Sequence, residues 1–234
     1  MVMKIKNYFL DNNVIIGFIY KLDNLNPDSE NIVNSGNNLY YSYHVKSEIN
    51  DVSNRKNNEY NKFFSLLLSK LRKHNQHQFI SRTDFHLFID KSGPISKMTV
   101  ENMHYAFDRI WDALGFGENQ EAGEIKLKLR RFKVAFGKTH ASRKTNFLKT
   151  ANYIPAHRHK DQQIISMVNA KSLGDDLHGE DEKILFDLQE YSTNHPELNM
   201  ILVSWDKTFI KVVKEIKSVL SFNECISLDG QIIL

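Results

Sequence analysis

Short apolar runs bounded by polar residues predict the strands of this chain. Residues 5–10 and 39–45 are rich in β-branched and aromatic side chains, and residues 200–204 form a continuous apolar run typical of a buried strand. Two further runs, at 225–228 and 232–234, predict short terminal strands. Strands are therefore expected near both ends of the chain.

Apolar residues at helical spacing predict helices at 14–22, 60–71, 98–114, 161–173, 181–191 and 209–220. The clearest is 98–114, for which we predict Thr99 as the N-cap and an end near Gly115. Its buried stripe is expected to be Met103, Ala106, Phe107, Ile110, Trp111 and Leu114. Segment 23–38, rich in Asn, Asp and Ser, predicts a loop, whereas 79–90 fits either a short strand or a helical turn.

Strands alternate with helices at both ends of the chain, whereas the middle is mainly helical. Such alternation predicts an α/β fold with a mostly parallel sheet between layers of helices, a three-layer sandwich. We therefore predict an α/β core formed by residues 1–52 and 161–234. A mainly helical and partly basic insertion at 53–160 is expected to interrupt it.

Composition narrows the class of protein without identifying it. The chain has 234 residues, 41% hydrophobic and 25% charged, which is ordinary for a globular protein with a sizeable core. The net charge of +3 does not by itself demand a nucleic-acid partner. A single cysteine, Cys225, excludes a disulfide within the chain and a cysteine-rich zinc module. Without a signal-peptide pattern or a membrane-spanning apolar run, we expect a cytoplasmic protein with no membrane partner.

Four acidic residues follow or precede the predicted strands in a regular way. Asp11 and Asp206 come after strands, Glu48 follows the second strand, and Asp181 opens the helix that leads into the strand before Asp206. Because the carboxyl ends of parallel strands meet at one edge of a sheet, we expect these carboxylates to lie close together. They would repel one another, and a divalent cation would remove that penalty. Oxygen ligands favour Mg²⁺ or Mn²⁺, which activate water and stabilise charge on a phosphoryl oxygen.

These acids lie in motifs that resemble those of the PIN-domain family of metal-dependent nucleases. A hydrophobic strand leads into Asp11, any residue and Asn13, and Glu48 follows an aromatic strand. Asp181 opens an Asp-x-x-Ile-Leu helix start, and Asp206 ends a Ser-x-Asp motif that Phe209 follows. The order and local context of all four agree with the family, over about 1–52 and 175–225.

The resemblance implies an endoribonuclease that hydrolyses phosphodiester bonds with Mg²⁺ or Mn²⁺. It also implies that the catalytic and metal-binding residues are Asp11, Glu48, Asp181 and Asp206, and that the supporting residues are Asn13 and Ser204. Glu180 and Glu182, which flank Asp181, could contribute as well. The expected partner is RNA, with DNA as the alternative, and the sequence leaves open whether the chain forms a homodimer.

Several alternatives stay open at this point. Asp161 opens a second Asp-x-x-apolar-apolar segment and competes for the role of third acid. We favour Asp181 because one helix and a turn separate it from Asp206. The long insertion departs from compact PIN domains, and nothing in it resembles a known module. The rival functions are a catalytically inactive PIN-like module that binds RNA or DNA, and a toxin ribonuclease of a toxin–antitoxin pair.

Residues 125–160 contain no Asp or Glu but many basic side chains. This stretch could be a solvated face or a phosphate-binding surface, and a nuclease would favour the second. Its candidate nucleic-acid-binding residues are Lys126, Lys128, Arg130, Arg131, Lys133, Lys138, Arg143 and Lys144. His157 and His159 suggest metal ligands, but no cysteine accompanies them, and the sequence therefore does not predict a zinc site.

Overall fold

The computed structural model describes residues 5–177, 179–222 and 224–227. Its strands are β1 (Asn7–Leu10), β2 (Asn38–Ser42), β3 (Phe79–Ser81), β4 (Asn119–Glu121), β5 (Asn152–Ile154), β6 (Met200–Ser204) and β7 (Glu224–Ser227). Its α-helices are α1 (Asn12–Ile19), α2 (Asn26–Val33), α3 (Tyr43–Lys70), α4 (Arg82–Ser92), α5 (Val100–Ala113), α6 (Ala122–Thr150), α7 (Gln162–Ala170), α8 (Glu180–Asn194) and α9 (Lys207–Glu215). Single 3₁₀ turns lie at Leu71–Lys73, Pro196–Leu198 and Lys217–Val219.

The described residues form two compact units. The first unit consists of the described residues within Met1–Phe18, Pro27–Val52 and Thr145–Leu234. The second unit consists of Ile19–Asn26 and Ser53–Lys144. The domain boundaries predicted from the sequence stay a prediction. No helix in the described part of the chain pairs the length with the apolar composition that crossing a bilayer would require.

The first unit is built on a five-stranded sheet in the order β5-β2-β1-β6-β7, with every pairing parallel. The prediction of an α/β fold with a parallel sheet is therefore confirmed, and the helices that flank the sheet are consistent with three layers. The sheet is deeply buried, since Phe9 and Leu10 of β1 and Leu202 and Val203 of β6 are fully inaccessible. Continuous apolar runs of this kind are what a parallel sheet covered by helices requires.

The register of the central strands decides where their ends lie. Tyr8 of β1 is paired with Leu39 of β2 and with Ile201 of β6. The backbone N–H of Asp11, one residue beyond β1, still donates to the carbonyl of Val203 at 3.0 Å. The carboxyl ends of β1 and β6 therefore lie side by side, which is where open α/β sheets bind ligands.

The second unit is helical apart from a small antiparallel pair, β3 and β4. The predicted helix at 98–114 is confirmed as α5. The Thr99 side chain caps it by accepting from the Asn102 backbone N–H, and Gly115 follows near its end. The predicted stripe from Met103 to Trp111 is buried, although Leu114 is half-exposed. In the core, the ring of Trp111 packs against those of Phe85 and Phe107.

Two local predictions need correction. The predicted loop at 23–38 is wrong, because Asn26–Val33 forms α2. Pro27 does not prevent this helix, since a proline in the first turn gives up an N–H that has no helical partner. The second strand ends at Ser42 rather than at 45, and α3 begins directly at Tyr43 and continues through most of the helix predicted at 60–71. Glu48 therefore lies in the second turn of α3. The predicted strand at 232–234 lies outside the described residues.

Candidate functional site

The four acids that the sequence singles out come together in the first unit. Asp11 directly follows β1, Glu48 lies on α3, Asp181 lies in the first turn of α8, and Asp206 precedes α9. The negative charges of Asp181 and Asp206 raise the pKa of Asp11, and those of Asp11 and Asp181 raise the pKa of Glu48. Asp11 is thus coupled electrostatically to each of the other three carboxylates, which come from separate parts of the chain.

Asp11 is the most firmly held of the four. Its side chain is buried, and the residue is 2% exposed. Its Oδ2 accepts from Ser204 Oγ at 2.6 Å and from Asn13 Nδ2 at 2.7 Å, while its Oδ1 accepts from the Asn12 backbone N–H at 2.6 Å. Burial raises the pKa of Asp11 to about 6 even though these donors stabilise the charged form. The orientation of this carboxylate is therefore fixed before any ligand arrives.

Asn13 and Ser204 connect the ends of β1 and β6. Asn13 Oδ1 accepts from the Trp205 backbone N–H at 3.0 Å, and Ser204 Oγ accepts from the Asp206 backbone N–H at the same distance. The same two side chains donate to Asp11. They therefore hold Asp11 and the backbone of Asp206 in one hydrogen-bonded group.

Glu48 is the least compensated carboxylate. Burial raises its pKa to about 7, with further increases from the charges of Asp11, Asp181 and Glu180 and a smaller decrease from a hydrogen bond with the Asn12 side chain. Within the described residues, its buried Oε2 has no hydrogen-bond partner. A buried acceptor without a donor is costly, and a cation would satisfy it.

Asp206 uses one oxygen for the backbone. Its Oδ1 caps α9 by accepting from the Thr208 and Phe209 backbone N–H groups at 2.8 and 3.0 Å. The capping geometry fixes the side chain, and an N-cap Asp is a common solution at a helix start. Capping uses Oδ1 of Asp206, so its other carboxylate oxygen, Oδ2, is not needed for the cap.

The first turn of α8 carries three acids, Glu180, Asp181 and Glu182. Acids at this end of a helix interact favourably with its dipole. Glu180 pairs with Lys183 at 2.6 Å and still raises the pKa of Glu48. Glu182, the predicted supporting residue, pairs instead with Lys160 at 3.1 Å. Both acids are thus paired with lysines, but only Glu180 raises the pKa of Glu48.

The rival acid, Asp161, has a structural role. Its Oδ1 caps α7 by accepting from the Gln163 and Ile164 backbone N–H groups at 2.8 and 3.3 Å. Its Oδ2 accepts from Gln189 Nε2 at 3.0 Å. Both oxygens are therefore in use. Asp181 contributes to the raised pKa values of Asp11 and Glu48, whereas Asp161 is not among their causes.

The predicted nucleic-acid-binding residues all lie on α6, in the part of this helix that belongs to the second unit. Arg130, Arg131 and Lys138 are exposed, and the other five are half-buried. Lys128 is paired with Glu124 at 2.7 Å, and burial lowers the pKa of Lys144. Three of these eight side chains are thus exposed to solvent, and their role in binding stays a prediction.

Three residues that the sequence did not combine also meet in the first unit. Among the described residues, one group of three His, Cys, Asp or Glu side chains has ligand atoms within 4.8 Å of one another, and it consists of His44, His157 and Asp187. The four acids are spaced more widely than that. One signal was visible in the sequence, since Asp187 is an acid between Phe186 and Leu188 on the apolar side of a predicted helix.

No protein-family model, curated protein or solved structure matches this chain. The resemblance to the PIN-domain family therefore depends on the four acidic motifs and stays a prediction. Any function must therefore be inferred from the fold and from the chemistry of the grouped carboxylates.

The raised pKa of Glu48 predicts a pH-dependent change in stability on replacing Glu48 with Gln. The pKa of Glu48 in the folded protein, about 7, lies above the usual 4.5. The contribution of Glu48 to the free energy of unfolding is therefore fully present below pH 4.5 and is lost as the pH rises through 7. Partial exposure screens the charge, so we expect Glu48→Gln to be more stable by about 2 kcal/mol at pH 8 and nearly unchanged at pH 5.

The measurement is urea unfolding of both proteins in EDTA at the two pH values. A Glu224→Gln variant, in which another half-buried glutamate with an unpartnered Oε2 is changed, serves as the matched control. A gain for Glu48→Gln that is equal at pH 5 and pH 8 would show that charge burial is not its cause.

Proposed function

We propose that this protein is a Mg²⁺- or Mn²⁺-dependent phosphodiesterase that cleaves nucleic acid, with RNA as the expected substrate. One observation carries the proposal: at the edge of a parallel sheet, the charges of Asp181 and Asp206 raise the pKa of Asp11, and those of Asp11 and Asp181 raise the pKa of Glu48. Such a cluster is unfavourable unless positive charge joins it. The PIN-like interpretation agrees with this arrangement and supplies the reaction class.

The donor set fits a hard divalent cation. Asp11, Glu48, Asp181 and Asp206 offer only oxygen, which Mg²⁺ and Mn²⁺ prefer. The unpartnered Oε2 of Glu48 gives one acceptor that nothing in the described residues satisfies. These four residues would hold the cation, one or two directly and the others through water, because they are spaced too widely for all to bind one ion directly. When bound, it supplies the charge that stabilises a phosphoryl oxygen and activates water for in-line attack.

The chain's own residues supply orientation. Ser204 and Asn13 hold Asp11 by donating to its Oδ2, and both tie it to the backbone at 205 and 206. The N-cap hydrogen bonds hold Asp206. Glu48, with a pKa of about 7, releases a proton near neutral pH when a cation joins it. Cation affinity should therefore increase as the pH rises from 6 to 8.

A polyanionic substrate needs basic contacts away from the acidic cluster, because carboxylates repel phosphate. The exposed Arg130, Arg131 and Lys138 on α6 are suited to this role. Their contacts would be with the phosphate backbone, which makes binding dependent on salt rather than on base sequence.

Cleavage assays on matched single-stranded and double-stranded RNA and DNA test the proposal. We expect hydrolysis of RNA in Mn²⁺ or Mg²⁺, none in EDTA, and recovery when the cation is returned. Binding of RNA without cleavage under all of these conditions would favour the inactive PIN-like module instead. Cleavage that continues at full rate in EDTA would contradict the proposed chemistry.

A further inference from the structure

A second group of ligands lies at the same edge of the sheet as the acids. His44 comes two residues after β2, and His157 comes three residues after β5. Because β2 and β5 are parallel neighbours, their carboxyl ends bring the two imidazoles together, with ring centroids 5.4 Å apart. Asp187, from α8, completes the group.

Asp187 lies between the two imidazole rings. It is 1% exposed, and its side chain is fully inaccessible. Its Oδ2 is 2.8 Å from His44 Nδ1, and its Oδ1 is 2.7 Å from His157 Nδ1 and accepts from the His157 backbone N–H at 2.9 Å. One buried carboxylate thus orients two histidines through the same ring atom of each.

A purely structural ion pair explains only part of this arrangement. A single histidine and the backbone N–H would already satisfy the hydrogen-bonding capacity of Asp187. A buried ion pair generally gives no more stability than apolar residues of similar volume would give at the same place. Neither imidazole has a hydrogen-bond partner at Nε2 among the residues that the structure describes, so each Nε2 can take up a proton that leaves Nδ1. Beside the group opens a cavity of about 730 Å³, lined by His157, Asp187, Arg158, His159, Tyr191 and His195 among others.

We propose that His44, His157 and Asp187 bind a transition-metal cation, with Zn²⁺ as the best match. Two imidazole nitrogens and one carboxylate oxygen form a common zinc donor set, which a water completes as the fourth ligand. Imidazole ligands disfavour Mg²⁺, so the selectivity of this site differs from that of the acidic cluster. On binding, the proton on Nδ1 of each neutral imidazole moves to its Nε2, and the Nδ1 lone pair forms the bond to the metal.

The two sites share their supporting helices. α3 carries His44 and Glu48, which lie four residues apart and so on one face, separated by about 6 Å along the helix axis. α8 carries Asp181 and Asp187. A cation at the histidine site would therefore fix α3 and α8 relative to each other within the first unit. The inference is independent of the proposed function, because it assigns a different metal to different residues.

The test is metal titration of the full chain after chelation and dialysis. We expect one Zn²⁺ per chain, and a visible absorption band of tetrahedral type when Co²⁺ replaces it. His44→Gln and His157→Gln should each weaken binding by about 100-fold or more and remove the Co²⁺ band. His159→Gln changes an exposed histidine of the same cavity and is the matched control, with no expected effect.

Three results would overturn the proposal. The first is a wild-type protein with no stoichiometric Zn²⁺ and no Co²⁺ band, which needs no variant to interpret. The second is binding that survives both glutamine variants but disappears in His104→Gln, because His104 and His86 also lie with their Nδ1 atoms 2.6 Å apart. The third is a loss of the Co²⁺ band in Asp11→Asn that is as large as the loss in His44→Gln and His157→Gln. A Co²⁺ band retained in Asp11→Asn, with RNA cleavage lost, would support two separate sites.

Discussion

Replacement of Asp11 by Asn is expected to lower the rate of RNA cleavage by about 1000-fold or more. Asn keeps the shape of the side chain and an oxygen that can accept from the Asn12 backbone N–H, but it removes the charge at the centre of the acidic cluster. Charge stabilisation by a bound cation contributes several kcal/mol, and each 1.4 kcal/mol changes a rate about tenfold. Single-turnover cleavage in Mn²⁺ measures the effect.

The matched control for this variant is Asp176→Asn. Asp176 lies in the same unit and pairs with Lys211 at the surface, so its loss should leave cleavage unchanged. Circular dichroism should show both variants folded. If Asp11→Asn retained activity within about tenfold of wild type, the assignment of Asp11 to the reaction would be wrong.

Replacement of Asp181 by Asn should lower cleavage by at least about 100-fold, whereas Asp161→Asn should change it by less than about threefold. Asp181 contributes to the raised pKa of both Asp11 and Glu48, which places it within the acidic cluster. Asp161 caps α7, and Asn is as good a cap as Asp. The same single-turnover assay compares the two variants directly.

The opposite order of effects would identify Asp161 as the third acid and would contradict the interpretation of α8. Equal and large losses would point to damage of the fold, which a change in the midpoint of thermal unfolding would reveal. Only a selective loss in Asp181→Asn agrees with the proposed cluster.

The sequence predicted the main strands and the positions of the acids well, for a physical reason. A strand buried on both faces must be a continuous apolar run, and 200–204 shows that pattern plainly. Asp11 directly follows the strand β1, and Asp206 lies two residues after the end of β6. Parallel pairing then brings strand ends to one edge, so the grouping of Asp11 with Asp206 could be inferred without coordinates.

Elements without a strong periodic signal were harder to predict. β5 has only three residues, Asn-Tyr-Ile, at the edge of the sheet, and too few of them are buried to produce a pattern. α2 contains polar residues and a proline, so its composition indicated a loop. α3 continues through a polar stretch at 53–59, whose side chains are largely covered by polar partners distant in sequence, as Lys56 with Asp23 and Asn57 with Tyr20 illustrate.

The chemistry of the sites could be predicted only in part. Which carboxylates are raised in pKa depends on burial and on neighbours distant in sequence, as the effect of Glu180 on Glu48 illustrates. The meeting of His44 with His157 depends on β2 and β5 being neighbours, and strand order has no local signal. The histidine site was therefore visible only after the sheet order was known.

The most direct measurement is a crystal structure of the protein with Mn²⁺, recorded with anomalous scattering. We expect a Mn²⁺ peak among the carboxylates of Asp11, Glu48, Asp181 and Asp206, within about 2.0–2.6 Å of oxygens from one or two of them and joined to the others through water. The peak should be absent in Asp11→Asn crystals grown under the same conditions. No peak among these carboxylates at saturating Mn²⁺, or a peak only at His44, His157 and Asp187, would contradict the proposal that the acidic cluster is the cation site of a phosphodiesterase.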